Sequence, residues 1–341
     1  MKSRKPFASL SLDLDNLWSY MKTHGDSGWH SFPSYLPTFI PSVLKLLREH
    51  EVRITFFVVG QDAALGKNRE ALQQLKSDGH EIGNHSFNHE PWISRYSKAE
   101  IDREIALSEE EIEHCTGMKP RGFRGPGFAW SPDLLEVLAL RGYLYDASTL
   151  PTFLGPLARL YYFRSTKMDG PERDRRKELF GHARDGFRPA TAFRWKLDSG
   201  NSILEIPVST MPLFKIPFHL SYLIYLAGTS EALMVSYLRL ALSLCRLTSA
   251  EPSFLLHPLD FLDAHEYSQL SFFPGMKISS ERKNRIFTRV ISILREHYDL
   301  VPLGVYAESL SGKAHLRELS ARKEFRGSPG PLPDEFLRRV H

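Results

Sequence analysis

Cysteine is scarce: the 341 residues hold two, Cys115 and Cys245. Two thiols cannot form a disulfide framework, so a small stapled scaffold is excluded and the usage fits a reducing compartment. Long apolar runs are missing as well. The longest uncharged one, Ile216–Ser230, is interrupted by Pro217, His219 and Gly228 and falls short of the roughly 18 residues of a membrane-spanning helix. The N-terminal Met-Lys-Ser-Arg-Lys-Pro leads into an apolar stretch of only Phe7 to Leu12, which Asp13 ends. A secretory leader needs about 7–15 apolar residues and a small-residue cleavage site, so the expected location is cytoplasmic. Net charge is small, +4 from 44 basic and 40 acidic side chains, and the basic residues are scattered. That pattern gives no electrostatic footprint for nucleic acid. No internal repeat is present.

What remains is an ordinary globular composition, 42% hydrophobic and 25% charged, enough for a large core. Strand-like and helix-like segments alternate. Runs rich in β-branched and aromatic residues predict strands at Phe7–Leu14, Val52–Val59, His80–Asn84, Gly122–Arg124, Tyr143–Ala147, Ile203–Val208, Ser253–His257 and Leu300–Leu303. Helical spacing predicts helices over Ser34–His50, Asn68–Asp78, Ser230–Arg246 and Ser280–His297. Two more open at a Ser97…Glu100 capping-box spacing and at Ser131-Pro132. Seven or eight such alternations argue for an α/β fold with a parallel sheet, closed as a distorted (β/α) barrel of seven or eight strands. The domain is expected to span residues 1–311, with a polar, basic insertion around 155–200 and a charged, loosely ordered tail over 312–341.

Five clusters carry potential chemistry, and each follows a predicted strand. The first holds Asp13 and Asp15, two apart and so on one face of a strand. The second is Gly83-Asn84-His85-Ser86-Phe87-Asn88-His89, where histidines at i and i+4 share a metal if the segment is helical or tightly turned. The third is Arg124-Gly125-Pro126-Gly127-Phe128, a permanent cation followed by a turn that presents backbone N–H groups. The fourth is Asp146 and the fifth is His257, in His257-Pro258-Leu259-Asp260. Singly, each reads equally as a loop or a hydrogen-bonded core residue. Together, on the rim where β/α barrels carry their active sites, they make a mononuclear hydrolytic site.

In this order the clusters resemble the five motifs of the polysaccharide deacetylases, the NodB-homology or carbohydrate esterase family four. The run Gly79 to His89 is the most similar element, and Ile54–Gly60 is similar to the family's second strand. The resemblance implies a NodB-like barrel and removal of an N-acyl group, chiefly acetyl, from an amino sugar. It implies a divalent metal, zinc first, with cobalt, nickel or manganese as alternatives. Carried over, Asp13 matches the catalytic base, and Asp15, His85 and His89 match the metal ligands. Arg124 matches the residue that orients the base, His257 the general acid, and Asp146 the acid that tunes that histidine. Pro126, Gly127 and Phe128 match the oxyanion and substrate turn. The chain departs from the common pattern because Leu14 separates its two acids. It is more similar to a subgroup with Asp-x-Asp spacing, which also fits Leu204-Glu205-Ile206-Pro207-Val208-Ser209. That subgroup includes deacetylases of exopolysaccharides and deformylases of lipid-linked sugars. The implied partner is a carbohydrate, in a polymer or on a nucleotide or polyprenol carrier. The apolar stretch 211–225 reads either as a buried segment or as a peripheral contact with the inner membrane face. The alternatives are a deformylase or cyclic-amide hydrolase on the same site, and a catalytically inactive carbohydrate-binding protein on the same fold.

Overall fold

The computed structural model describes residues 5–155, 183–312 and 316–325. Strand β1 (Phe7–Asp13) is the hub. It pairs in parallel with β8 (Ser253–Leu256) on one side. On the other side its first half pairs with β9 (Asp299–Pro302) and its second half with β2 (Thr55–Val58). From β2 the sheet continues through β3 (Glu81–Asn84), β4 (Gly122–Phe123), β5 (Tyr145–Asp146), β7 (Ser202–Glu205), β6 (Phe193–Lys196) and β10 (Glu318–Ser320). All eight of the predicted strands are present and parallel, with ends up to three residues from those predicted. Among the described residues β8 and β10 do not pair, so the sheet is not a closed ring of strands. Backbone bonding nevertheless crosses the gap on the β7 side, because Ser209 N–H donates to Ser253 C=O at 3.0 Å.

Two strands lie where the sequence reading placed none. The β6 segment, grouped with the insertion, runs antiparallel to β7, and β10, grouped with the tail, pairs with β6. Their short, polar sequences hide them: Phe193 and Trp195 are buried, but Lys196 and Glu318 are exposed and form an ion pair. The middle of the expected insertion, residues 156–182, and the tail beyond 325 lie outside the described residues.

The helices form for the expected reasons. In α2 (Leu36–Glu49) the buried set Leu36, Phe39, Ile40, Val43, Leu44 and Leu47 follows one face. Each such side chain contributes about 1.5–3 kcal/mol by leaving water. Ser97 caps α5 (Lys98–Thr116) in a full capping box with Glu100. Ser131 caps α6 (Pro132–Leu140) ahead of a first-turn proline. Gly79, at φ +76°, ends the turn after α4 (Arg69–Ser77). Helix α7 (Leu220–Thr229) was read only as an apolar stretch. Its Leu220, Leu223 and Ile224 are core, as are Met211 and Phe218, whereas Leu213, Phe214 and Tyr225 are exposed. The stretch 211–225 is therefore mainly packed inside, with an apolar tip at 213–214. No described helix is long and apolar enough to cross a membrane.

Candidate active site

Register explains why scattered residues meet. Asp13 pairs with Phe57, and Phe57 with Gly83. One residue further on, Asn84 pairs with Phe123, Phe123 with Asp146, and Asp146 with Glu205. On the other flank Leu12 pairs with Leu256. One row across a parallel sheet thus ends in Asp13, His85, Arg124, Asp146 and His257. All of them emerge at the carboxyl ends of their strands, the rim where α/β sheets bind ligands.

At the centre, a carboxylate oxygen of Asp15 and one ring nitrogen each from His85 and His89 lie within 4.8 Å of one another. Asp15 Oδ1 is 2.8 Å from His89 Nε2 and 3.4 Å from His85 Nε2. His85 donates its Nδ1–H to Arg124 C=O at 2.6 Å, which aims Nε2 at Asp15. The two histidines are not on a helix. Ser86 and His89 have φ of +62° and +53°, a tight turn that brings the i and i+4 rings together. Such backbone is strained for side-chain-bearing residues and must be held. Asn84 Oδ1 accepts the Ser86 N–H, and Glu104 accepts the N–H groups of Phe87 and Asn88 as well as the Asn88 amide. Ser108 hydroxyl donates to Asn84. Glu104 was missed by the sequence reading. Its signal was a charged residue on the same helical face as Ile101 and Ile105, where a core side chain belongs.

Burial alone would raise the Asp15 carboxyl, but the two imidazoles, His89 foremost, outweigh it and hold it well below the usual carboxylate range. The acid is therefore ionised at any working pH. Burial disfavours a charged His85, yet the Asp15 and Asp13 carboxylates more than compensate and raise it. One ionised oxygen and two imidazole nitrogens, one with a fixed tautomer, are the donor set of a divalent transition metal. Ligands 2.0–2.2 Å from a tetrahedral ion stand roughly 3.3–3.6 Å apart, close to the spacing here. His89 Nδ1 is buried without a hydrogen-bond partner among the described residues. With three protein donors, a fourth position stays open, as in catalytic rather than structural zinc sites.

Beside this cluster Arg124, fully buried, donates from Nη1 to Asp13 Oδ1 at 2.6 Å and to Ser11 Oγ at 2.9 Å. Its Nε donates to Ala147 C=O, and its guanidinium carbon lies 4.4 Å above the Phe57 ring. Three hydrogen bonds and a stacked face fix the guanidinium, which in turn holds Asp13 Oδ1. The following turn has φ near +61° at both Gly127 and Phe128. On the far flank His257 Nδ1 bonds Ser221 Oγ at 3.2 Å, and Asp260 accepts the His257 N–H at 2.8 Å. The ring of His219 is 5.8 Å from that of His257. Burial and the His257 charge push His219 down to about 3, so it stays neutral.

Asp146 departs from expectation. Its partners are Ser148, which donates to Oδ1 at 2.6 Å, and Glu205, rather than His257. The cause is topological: β5 lies next to β7, several strands away from β8, which carries His257. Asp260, three residues on, is the acid beside that histidine, 3.9 Å from Nδ1.

Residues 22–145 match the family model for polysaccharide deacetylase. The chitooligosaccharide deacetylase of Azorhizobium caulinodans is 36% identical over 103 residues, 30% of this chain and 48% of that protein. That of Sinorhizobium fredii is 33% identical over 132 residues, 36% of this chain and 60% of that protein. The peptidoglycan deacetylase of Helicobacter pylori is 31% identical over 125 residues, 37% of this chain and 40% of that protein. The chain thus matches about half the length of these curated relatives. A crystal structure of a proposed polysaccharide deacetylase from Mycobacterium smegmatis superposes with a TM-score of 0.61 at 18% identity, covering 96% of both chains, which shows a shared fold. The segment around the two histidines is thus similar to the polysaccharide deacetylases, and the chain shares the fold of the Mycobacterium smegmatis protein from end to end.

Proposed function

We propose that the chain is a metal-dependent hydrolase that removes an N-acyl group, chiefly acetyl, from an amino sugar. The observation that carries this reading is the convergence of Asp15, His85 and His89 next to an Asp13–Arg124 pair on one strand rim. Asp15, His85 and His89 would hold the ion. A divalent ion there, zinc first, polarises an acyl carbonyl and makes a water acidic near neutral pH.

The chain's own residues supply the rest. Asp13, aimed by the Arg124 guanidinium, takes a proton from the attacking water. In the 126–128 turn the Phe128 N–H is already bonded to Gly125 C=O, so Gly127 is the backbone donor for the developing oxyanion. His257, whose Nδ1 faces Ser221, presents Nε2 as the acid that protonates the departing amine. Nearby Asp260 stabilises the charged ring.

The exposed Leu213 and Phe214 support a substrate on a lipid carrier rather than a free polymer. One assay tests both levels. Acyl release is measured by mass spectrometry on a panel of N-acetylated and N-formylated polymers, nucleotide sugars and polyprenol-linked sugars. Release that stops on chelation and returns with a divalent ion is expected. Release that survives full chelation, or no release from any member, contradicts the hydrolase reading. A preference for nucleotide sugars contradicts the lipid carrier.

A further inference from the structure

Glu205 belongs to none of the five clusters, yet it is fully buried and stands directly across from Asp146 in the β5–β7 register. Two carboxyls side by side away from water cannot both carry charge without a large penalty. The donors around them are unequal. Glu205 Oε1 accepts the N–H and the hydroxyl of Thr149 at 3.0 and 2.6 Å, and Oε2 accepts the Trp195 indole N–H at 2.9 Å. Asp146 Oδ1 accepts the Ser148 hydroxyl, while Oδ2 is buried with no donor to fill it. Among the described residues every oxygen of the two carboxyls but Asp146 Oδ2 has a donor.

We propose that Asp146 and Glu205 share a single proton between them and act as one positioning unit for the Arg124–Gly125 corner of the site. This inference rests on the hydrolase reading above. The connection is short. Ser148, anchored by Asp146, accepts the Gly125 N–H at 2.8 Å, and Ala147 C=O accepts Arg124 Nε at 3.0 Å. Thr149, anchored by Glu205, extends the same clamp along the β5 exit. The unit therefore fixes the cation that aims Asp13 and the start of the turn that carries Gly127. Burial raises both carboxyls, and they titrate as a pair. The cations facing the pair are Arg124, through Ala147, and Arg188, which interacts with the Glu205 charge.

The test compares wild type with Asp146→Ala, Asp146→Asn and Glu205→Gln by kinetics and by melting at two pH values. Asp146→Asn keeps a donor toward Glu205 and an acceptor for Ser148. Glu205→Gln must turn an amide N–H2 toward donors on Thr149 or Trp195. The expected result is a kcat loss of up to about 10²-fold in Asp146→Ala with KM little changed. Most of that loss is recovered in Asp146→Asn and little in Glu205→Gln. The basic limb of the pH–kcat profile stays in place in Asp146→Asn; its displacement would overturn the proposal and return Asp146 to tuning His257. The melting arm does not depend on turnover. The folded pair keeps a proton that the unfolded chain releases above about pH 4, so wild-type stability falls as pH rises. Asp146→Asn lacks that fall and should melt up to about 10 °C higher than wild type at pH 8 but near it at pH 5. Equal pH slopes for the two proteins would refute the shared proton. A wild type without acyl release would defeat the hydrolase reading, while the melting arm still decides on the pair.

Discussion

His257→Ala is expected to lower turnover by roughly 10²–10⁴-fold while leaving the protein folded. His257 is partly exposed, its side chain accessible to 22%, and its loop is held by other groups. Asp260 caps its backbone N–H, and Lys283, buried, donates to the carbonyls of Leu259 and Leu262. Truncating the ring therefore removes a proton donor rather than a structural support. The size of the effect should follow the leaving group. An amine must be protonated to depart, so the amide substrate suffers the full loss. An acyl ester with an acidic phenol as leaving group needs no such help and should lose less than about tenfold. Steady-state kinetics on the two substrates check this. Equal losses on both would mean that the ring serves binding or structure, and near-normal amide turnover would reject the general acid.

Arg124→Met should cost about 3–5 kcal/mol of stability, because it leaves Asp13 buried without its counter-charge. Methionine fills much of the volume but replaces none of the hydrogen bonds to Asp13, Ser11 and Ala147. Lysine is no substitute, since one ammonium cannot span the same three acceptors from under the Phe57 ring. Stability and chemistry separate in the double variant Asp13→Leu with Arg124→Met. Removing both charges together is often close to neutral for folding. The double variant should therefore recover most of the lost stability in denaturant titration and remain inactive. A double variant that turns over would show the pair to be architecture only.

Much of the site could be read in the chain before any coordinates, and the reason is the regularity of parallel sheets. Each chemistry-bearing residue follows a short apolar run, and the shared direction of β1 to β5, β7 and β8 puts every run's carboxyl end on one rim. That rule gathers Asp13, His85, Arg124 and His257 on one rim, while the parts proposed for them, and for Asp15 and His89, came from the family resemblance. What stayed hidden depends on contacts between distant segments. Phe193–Lys196 carries a period-two alternation of aromatic and charged residues, but it is only four residues long and is stabilised by pairing with β7 and β10. The partner of Asp146 is chosen by strand order, so a motif that pairs it with a histidine could not anticipate Glu205. Glu104 and Asp260 were visible as residues, but their tasks, bracing a strained turn and capping the histidine loop, appear only in three dimensions.

Metal content measured on dialysed protein reloaded with zinc tests the convergence most directly. Wild type should hold one divalent ion per chain, and Asp15→Ala, folded but missing the oxygen that joins the two imidazoles, should hold none. Retention of the ion by Asp15→Ala, or its absence from the wild type, would contradict a metal centre at Asp15, His85 and His89.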